Sequence, residues 1–205
     1  MILTQKDKTT TLQGERLIGK VTSGKPGPTL VFFGGVHGNE PAGVLALEAV
    51  FGSLMDGKVT LTHGTALGIR GNLPALDLEQ RFLVHDLNRI WGRKRLSEIL
   101  EGSRQELSPE ERELLELFDA LQEVLTNYEP PFYFIDLHTT SSQTLPFITI
   151  NDSMINRKFS ELFPVPVILG IEEYLEGPLL SYINELGYMA MGFESGQHND
   201  QAAVK

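Results

Sequence analysis

Cysteine is absent from the 205 residues, so the chain can form neither a disulfide nor a thiolate metal site. Any zinc it holds must be bound through histidine and carboxylate. The same absence fits a cytoplasmic protein. Long apolar runs are missing too. None approaches the roughly 18 residues that a membrane-spanning helix requires, and the N-terminal MILTQKDKTT lacks the apolar core of a signal peptide. Positive charge is scarce: 17 Lys and Arg stand against 27 Asp and Glu, a formal net charge of -10. That balance excludes nucleic acid as the main partner, because phosphate binding needs a dense basic surface. It also makes any local cluster of arginines worth explaining. No internal repeat or low-complexity linker divides the chain, and nothing in it specifies an oligomeric state.

What is present is the composition of an ordinary globular domain, with 41% hydrophobic and 21% charged residues. Thr29-Phe33 (TLVFF) is a short β-rich run ending at Gly34-Gly35. Pro41 then opens an amphipathic stretch, Ala42-Phe51, with proline at the favoured start of a helix. Lys58-Leu67 alternates as a strand does. Ser108-Tyr128 is the clearest helix: Ser108-Pro109-Glu110-Glu111 forms a capping box, and Leu114, Leu117, Phe118, Leu121, Val124 and Leu125 share one face. Phe132-Leu137 (FYFIDL) and Phe147-Ile150 read as strands, Pro178-Leu186 as a helix and Met189-Phe193 as a last strand. Strands alternating with helices imply an α/β fold with a largely parallel sheet. In such sheets reactive groups gather beyond the carboxyl ends of the strands. His37, His138 and Glu194 each follow a strand in this way.

His37-Gly-Asn-Glu40 sets an imidazole and a carboxylate three residues apart where a strand turns into a helix. One turn can aim both at a common point, and glycine lets the backbone approach closely. A catalytic zinc takes three protein ligands and leaves a fourth position for water. His138 is the natural third ligand, with Asp136 two residues earlier on the same strand face to orient it. H-x-x-E alone is a weak signal, since a helix-entry loop with Glu40 favouring the helix N-terminus explains it equally. Adding His138 and Glu194, each at its own strand end, turns the balance toward a metal site. His63, in the Lys58-Leu67 strand, and His85, in a loop, have no carboxylate at metal spacing, and His198 near the chain end is expected to be solvated.

GGVHGNEPAG, RFLVHDLNR, IDLHTT and the terminal ESGQ, in that order from about Gly34 to Gln197, resemble the succinylglutamate desuccinylase/aspartoacylase family. That family is a branch of the zinc carboxypeptidase-like hydrolases. The resemblance implies an α/β, zinc carboxypeptidase-like fold with a mostly parallel or mixed sheet flanked by helices. It implies one Zn2+ per chain on His37, Glu40 and His138, with Glu194 as the catalytic carboxylate. Arg81, Asn88 and Arg89 would form a polar clamp on the substrate, and Gly71-Asn72 looks like the Gly-Asn that precedes that clamp. Two departures stand out. Family members continue for about a further hundred residues into a β-rich C-terminal domain, whereas this sequence stops at Lys205, 11 residues after Glu194. Aspartoacylases also carry a substrate-binding arginine where Asn184 stands here. The expectation is therefore a single zinc-hydrolase domain over residues 1–205, without the C-terminal domain.

The chemistry follows from the residue types. Zinc lowers the pKa of a bound water to about 7 and polarises a carbonyl oxygen, and a carboxylate such as Glu194 can move the water's proton to a leaving amine. Arg81 suits stabilisation of an oxyanion. Arg89 with Asn88 suits bidentate recognition of a carboxylate, unless Asp86 engages one of these arginines in a structural salt bridge. An acidic chain gains most from a concentrated cationic pocket when its ligand is an anion. Arg93, Lys94 and Arg95 read as solvated surface. The expected activity is hydrolysis of the amide of a small anionic N-acyl amino acid. The alternatives are a zinc carboxypeptidase acting on a small peptide and an inactive metal-binding relative. A phosphate-cradling loop at Gly34-Gly38 is disfavoured, since G-x-G-x-x-G and the Walker lysine are both absent.

Overall fold

A computed structural model describes residues 14–103 and 105–205 of the chain; the N-terminal MILTQKDKTT lies outside them. The strands are β1 (Leu17–Thr22), β2 (Thr29–Gly34), β3 (Thr65–Arg70), β4 (Phe132–Thr140), β5 (Phe147–Ile150), β6 (Val167–Leu169) and β7 (Met189–Gln197). The helices are α1 (Ala42–Met55), α2 (Leu73–Asp77), α3 (Arg93–Glu101), α4 (Pro109–Asn127), α5 (Met154–Ser160) and α6 (Leu179–Glu185). Among the described residues the strands form one mixed sheet in the order β1-β3-β2-β4-β7-β5-β6. Its centre, β3-β2-β4-β7, is parallel throughout, and antiparallel pairings join β1 to β3 and β5 to β7.

Helices cover both faces, and the central strands are accordingly apolar on both sides. Val31, Phe33, Leu67, Ile69 and Phe134 pack with Leu114, Leu117, Leu121 and Val124 of α4 and with Leu179 and Ile183 of α6. On the opposite face, Leu47 and Phe51 of α1 meet Ala66 and Phe32, while Phe159 of α5 packs with Ile135, Ile148 and Met191. The α4 capping box is formed in both directions: Ser108 Oγ accepts from Glu111 N, and Glu111 Oε2 accepts from Ser108 N.

Several element boundaries differ from the sequence reading. Residues 58–64 are loop, and the strand runs from Thr65 to Arg70 instead. The N–H groups of Lys58 and Val59 both bond to Ser53 O, closing the end of α1. Gly64, at φ +75°, then turns the chain before the ladder opens at Thr65. His63 is consequently an exposed loop residue. Strands β4 and β7 extend further than expected, so His138 and Glu194 lie inside them rather than beyond them.

Candidate metal centre and substrate cleft

Parallel pairing of β2 with β4 and of β4 with β7 brings three carboxyl ends to one edge of the sheet, where His138 stands opposite Glu194 in register. Beyond that pair β7 carries an extra residue relative to β4, a bulge that includes Gly196 at φ +118°. Bulges of this kind re-aim side chains next to sites. The segment after β2 turns tightly into α1. Gly35 adopts φ +74°, and a Cβ on Gly38 would fall 2.0 Å from the carbonyl carbon of Ala75. Only glycine fits there.

These constraints bring His37, Glu40 and His138 together as buried side chains. The Nδ1 atoms of His37 and His138 face opposite oxygens of the Glu40 carboxylate, at 3.0 and 3.1 Å. Each imidazole is held from behind by a second carboxylate: His37 Nε2 lies 3.0 Å from Asp86 Oδ1, and His138 Nε2 lies 2.7 Å from Asp136 Oδ2. The Thr139 N–H donates to Glu40 Oε2 at 2.9 Å, and Arg81 Nη1 donates to Glu40 Oε1 at 3.2 Å.

The electrostatics follow from crowding three carboxylates around two rings. Burial alone would raise the Glu40 carboxyl, but hydrogen bonds and charge from His138 and His37 outweigh it and hold it well below the usual range. Burial would likewise raise Asp86, yet His37, Arg81 and Arg89 keep it far below its ordinary value. Burial would lower His138, but Asp136 and Glu40 push it well above its usual value. Glu40 and Asp86 are thus held as carboxylates beside the two imidazoles. One ligand atom from each of His37, Glu40 and His138 lies within 4.8 Å of the others, so these three side chains could hold a metal ion. Ligand atoms about 2.1 Å from a tetrahedral zinc lie roughly 3.4 Å apart, close to the 3.0 and 3.1 Å found here. The donor set and its spacing fit zinc.

Glu194 shares this cleft of about 310 Å³ with His37, Glu40, His138, Arg81, Asn88 and Arg89. Burial pushes the Glu194 carboxyl up to about 7, and its Oε2 is buried without a hydrogen-bond partner. Arg81 donates to both Glu40 and Asp86, so the salt-bridge reading of Asp86 holds for that arginine. Asn88 is buried, and its Oδ1 accepts from Leu179 N at the start of α6, leaving Nδ2 as the group it can offer a ligand. Arg89 Nη1 donates to Asn88 O at 2.6 Å. Asn72 caps α2 through Ala75 N, and Asn184 is tied to Asn156 and Leu180; neither lines the cleft.

Two residues escaped the sequence reading. Asp86 was weighed only as a partner for arginine, whereas one of its oxygens holds His37. His198 is not simply solvated: it lines the cleft, with Nδ1 2.6 Å from Thr139 Oγ1. No spacing rule marks it, because the β7 bulge brings it there. Arg93 and Arg95 sit at the surface, paired with glutamates.

Residues 26–197 match the family described as the succinylglutamate desuccinylase/aspartoacylase catalytic domain. The chain is 33% identical over 111 residues to a succinylglutamate desuccinylase of Photorhabdus laumondii, covering 54% of this chain and 33% of that protein. It is 31% identical over 117 residues to one of Pseudoalteromonas atlantica, covering 56% and 32%. The matches thus span about a third of the length of these curated relatives. Among solved structures, a succinylglutamate desuccinylase from Chromobacterium violaceum superposes with TM-score 0.71 at 18% identity, over 90% of this chain and 59% of that one. A product-bound structure of the ectoine utilization protein EutE (DoeB) from Ruegeria pomeroyi gives 0.65 at 20% identity, over 91% and 56%.

Proposed function

The chain belongs to the succinylglutamate desuccinylase/aspartoacylase family, and from that premise we propose that it is a zinc-dependent deacylase hydrolysing the amide bond of a small anionic N-acyl amino acid. Its α/β fold is the zinc carboxypeptidase-like fold of that family. One observation carries the proposal: two imidazole Nδ1 atoms converge on the Glu40 carboxylate, with the Glu194 carboxyl in the same cleft. His37, Glu40 and His138 would hold one zinc, which when bound supplies a Lewis acid and an acidified water.

The remaining chemistry belongs to the chain. Asp86 and Asp136 fix the two rings so that Nδ1 of each stays a lone-pair donor. Glu194 serves as general base and then as general acid, moving one proton from water to the departing amine nitrogen. Its carboxyl at about 7 suits that exchange near neutral pH, and a cation at the three donors would draw it toward the ionised form. Arg81, beside Glu40, provides positive charge for the developing oxyanion. Arg89 and the Asn88 Nδ2 group form the cationic and donor wall for the substrate carboxylate. A cleft of about 310 Å³ lies at the small end of ligand sites, which suits an acylated amino acid better than a peptide.

The test is a turnover panel on zinc-loaded and zinc-stripped protein, using N-succinylglutamate, N-acetylaspartate, a neutral N-acetyl amino acid and a dipeptide. Anionic N-acyl amino acids should be hydrolysed by the loaded form alone. Preference for the dipeptide would move the assignment to a carboxypeptidase, and inactivity on all four would make the chain a metal-binding relative.

A further inference from the structure

Asp86, the carboxylate behind His37, stands on a segment with no regular secondary structure between α2 and the turn at Leu87–Arg89. Something must hold that segment still. The helix α4 supplies it. Glu110, next to the capping-box Glu111, is completely buried. Its Oε1 accepts from Leu83 N at 2.7 Å, and its Oε2 accepts from Val84 N at 3.2 Å and His85 N at 3.1 Å. Asn72 Nδ2, 3.4 Å from Oε1, completes the set. All four donors are neutral, so this buried carboxylate is stabilised by converging N–H dipoles and by its place in the first turn of α4.

The consequence lies one residue on. Asp86 follows His85 directly and contacts His37 Nε2, Asn88 N and Arg81. On the other side of the segment, Arg81 O accepts from Gly38 N, beside His37. We propose that Glu110 is a positioning residue for the metal centre: by gathering the N–H groups of three consecutive residues it fixes the 83–85 segment and so sets Asp86 behind His37. The inference rests on the zinc reading above and extends it to a residue that touches neither metal nor substrate.

The experiment is a double-mutant cycle read as zinc affinity, by competition with a chromophoric chelator. Glu110→Gln keeps the shape but turns an amide N–H₂ toward backbone donors. It should weaken zinc binding by about 10- to 100-fold, the usual effect of losing a group that orients a ligand. Asp86→Ala should weaken it by a similar factor, and Glu110→Gln in that background should change it by less than about threefold, since neighbours acting in series are not additive. Wild-type zinc affinity in Glu110→Gln, whatever its melting temperature, would overturn the inference, as would losses that multiply in the double variant. Should Glu110→Gln not fold, Glu110→Asp enters the same cycle with the same expectations. A wild-type chain that takes up no zinc would bring down both this inference and the deacylase reading. Zinc uptake unaffected by Glu110 would bring down this inference alone.

Discussion

Each imidazole at the centre sits between two carboxylates, Glu40 in front and Asp86 or Asp136 behind. In the proposed site the front contact would gather the metal donors and the rear contact would aim them. Glu194 differs from all of these. Its Oε2 is buried without a hydrogen-bond partner, and burial has lifted its carboxyl to about 7. The proton-transfer role proposed for Glu194 would make it separable from metal binding. Glu194→Gln is therefore expected to keep zinc content and fold while turnover falls by about 10²–10⁴. Zinc per chain and initial rate, measured on the same preparations, check this; loss of zinc would make Glu194 a ligand. His37, Glu40 and His138 were legible in the sequence because short motifs at strand ends encode them locally. Asp86 was not, because its two oxygens serve different partners and only the fold reveals the second.

At the scale of elements, the proposed clamp residues also carry structure. Asn88 Oδ1 takes the N–H of Leu179 across 91 residues of sequence, anchoring the start of α6. Asn88→Ala leaves that buried donor unsatisfied and should cost about 1–3 kcal/mol, read as a lower melting temperature without any ligand. Arg89→Lys keeps the charge but loses the planar fork, so KM for an anionic substrate should rise while the melting temperature stays near wild type. A sharp fall in melting temperature with unchanged KM would assign Arg89 to structure. Glu110 adds a pH dependence. Burial alone would raise its carboxyl, but the N–H groups of Leu83, His85 and Val84 hold it below the ordinary value of 4.5. A depressed carboxyl contributes stability above its unfolded pKa and loses it as pH falls through the folded one. The melting-temperature gap between wild type and Glu110→Gln should thus be full at pH 7 and close in acid below pH about 4. A gap independent of pH would contradict this. The α4 helix was readable end to end, since its cap and its apolar stripe are both local. The limits of β3 and β7 were not, because hydrogen bonds accepted by Ser53 O and the bulge beside Gly196 decide them.

Across the whole molecule, the sheet order does what no single motif could. Parallel β2, β4 and β7 lie side by side, so residues spread from His37 to Glu194 meet at one edge. Alternation of strands and helices made the layered α/β architecture legible, while the antiparallel β1 and β5 pairings depend on contacts distant in sequence. In a chain of net charge -10, Arg81 and Arg89 both line the cleft that holds His37, Glu40, His138 and Glu194. The proposed function depends on a cation held by His37, Glu40 and His138. Elemental analysis of the purified chain, reconstituted with zinc and dialysed against a mild chelator, tests that claim most directly. The expected result is one zinc per chain in the wild type and loss of that zinc in His138→Ala. No retained zinc in the wild type, or full occupancy in His138→Ala, would contradict it.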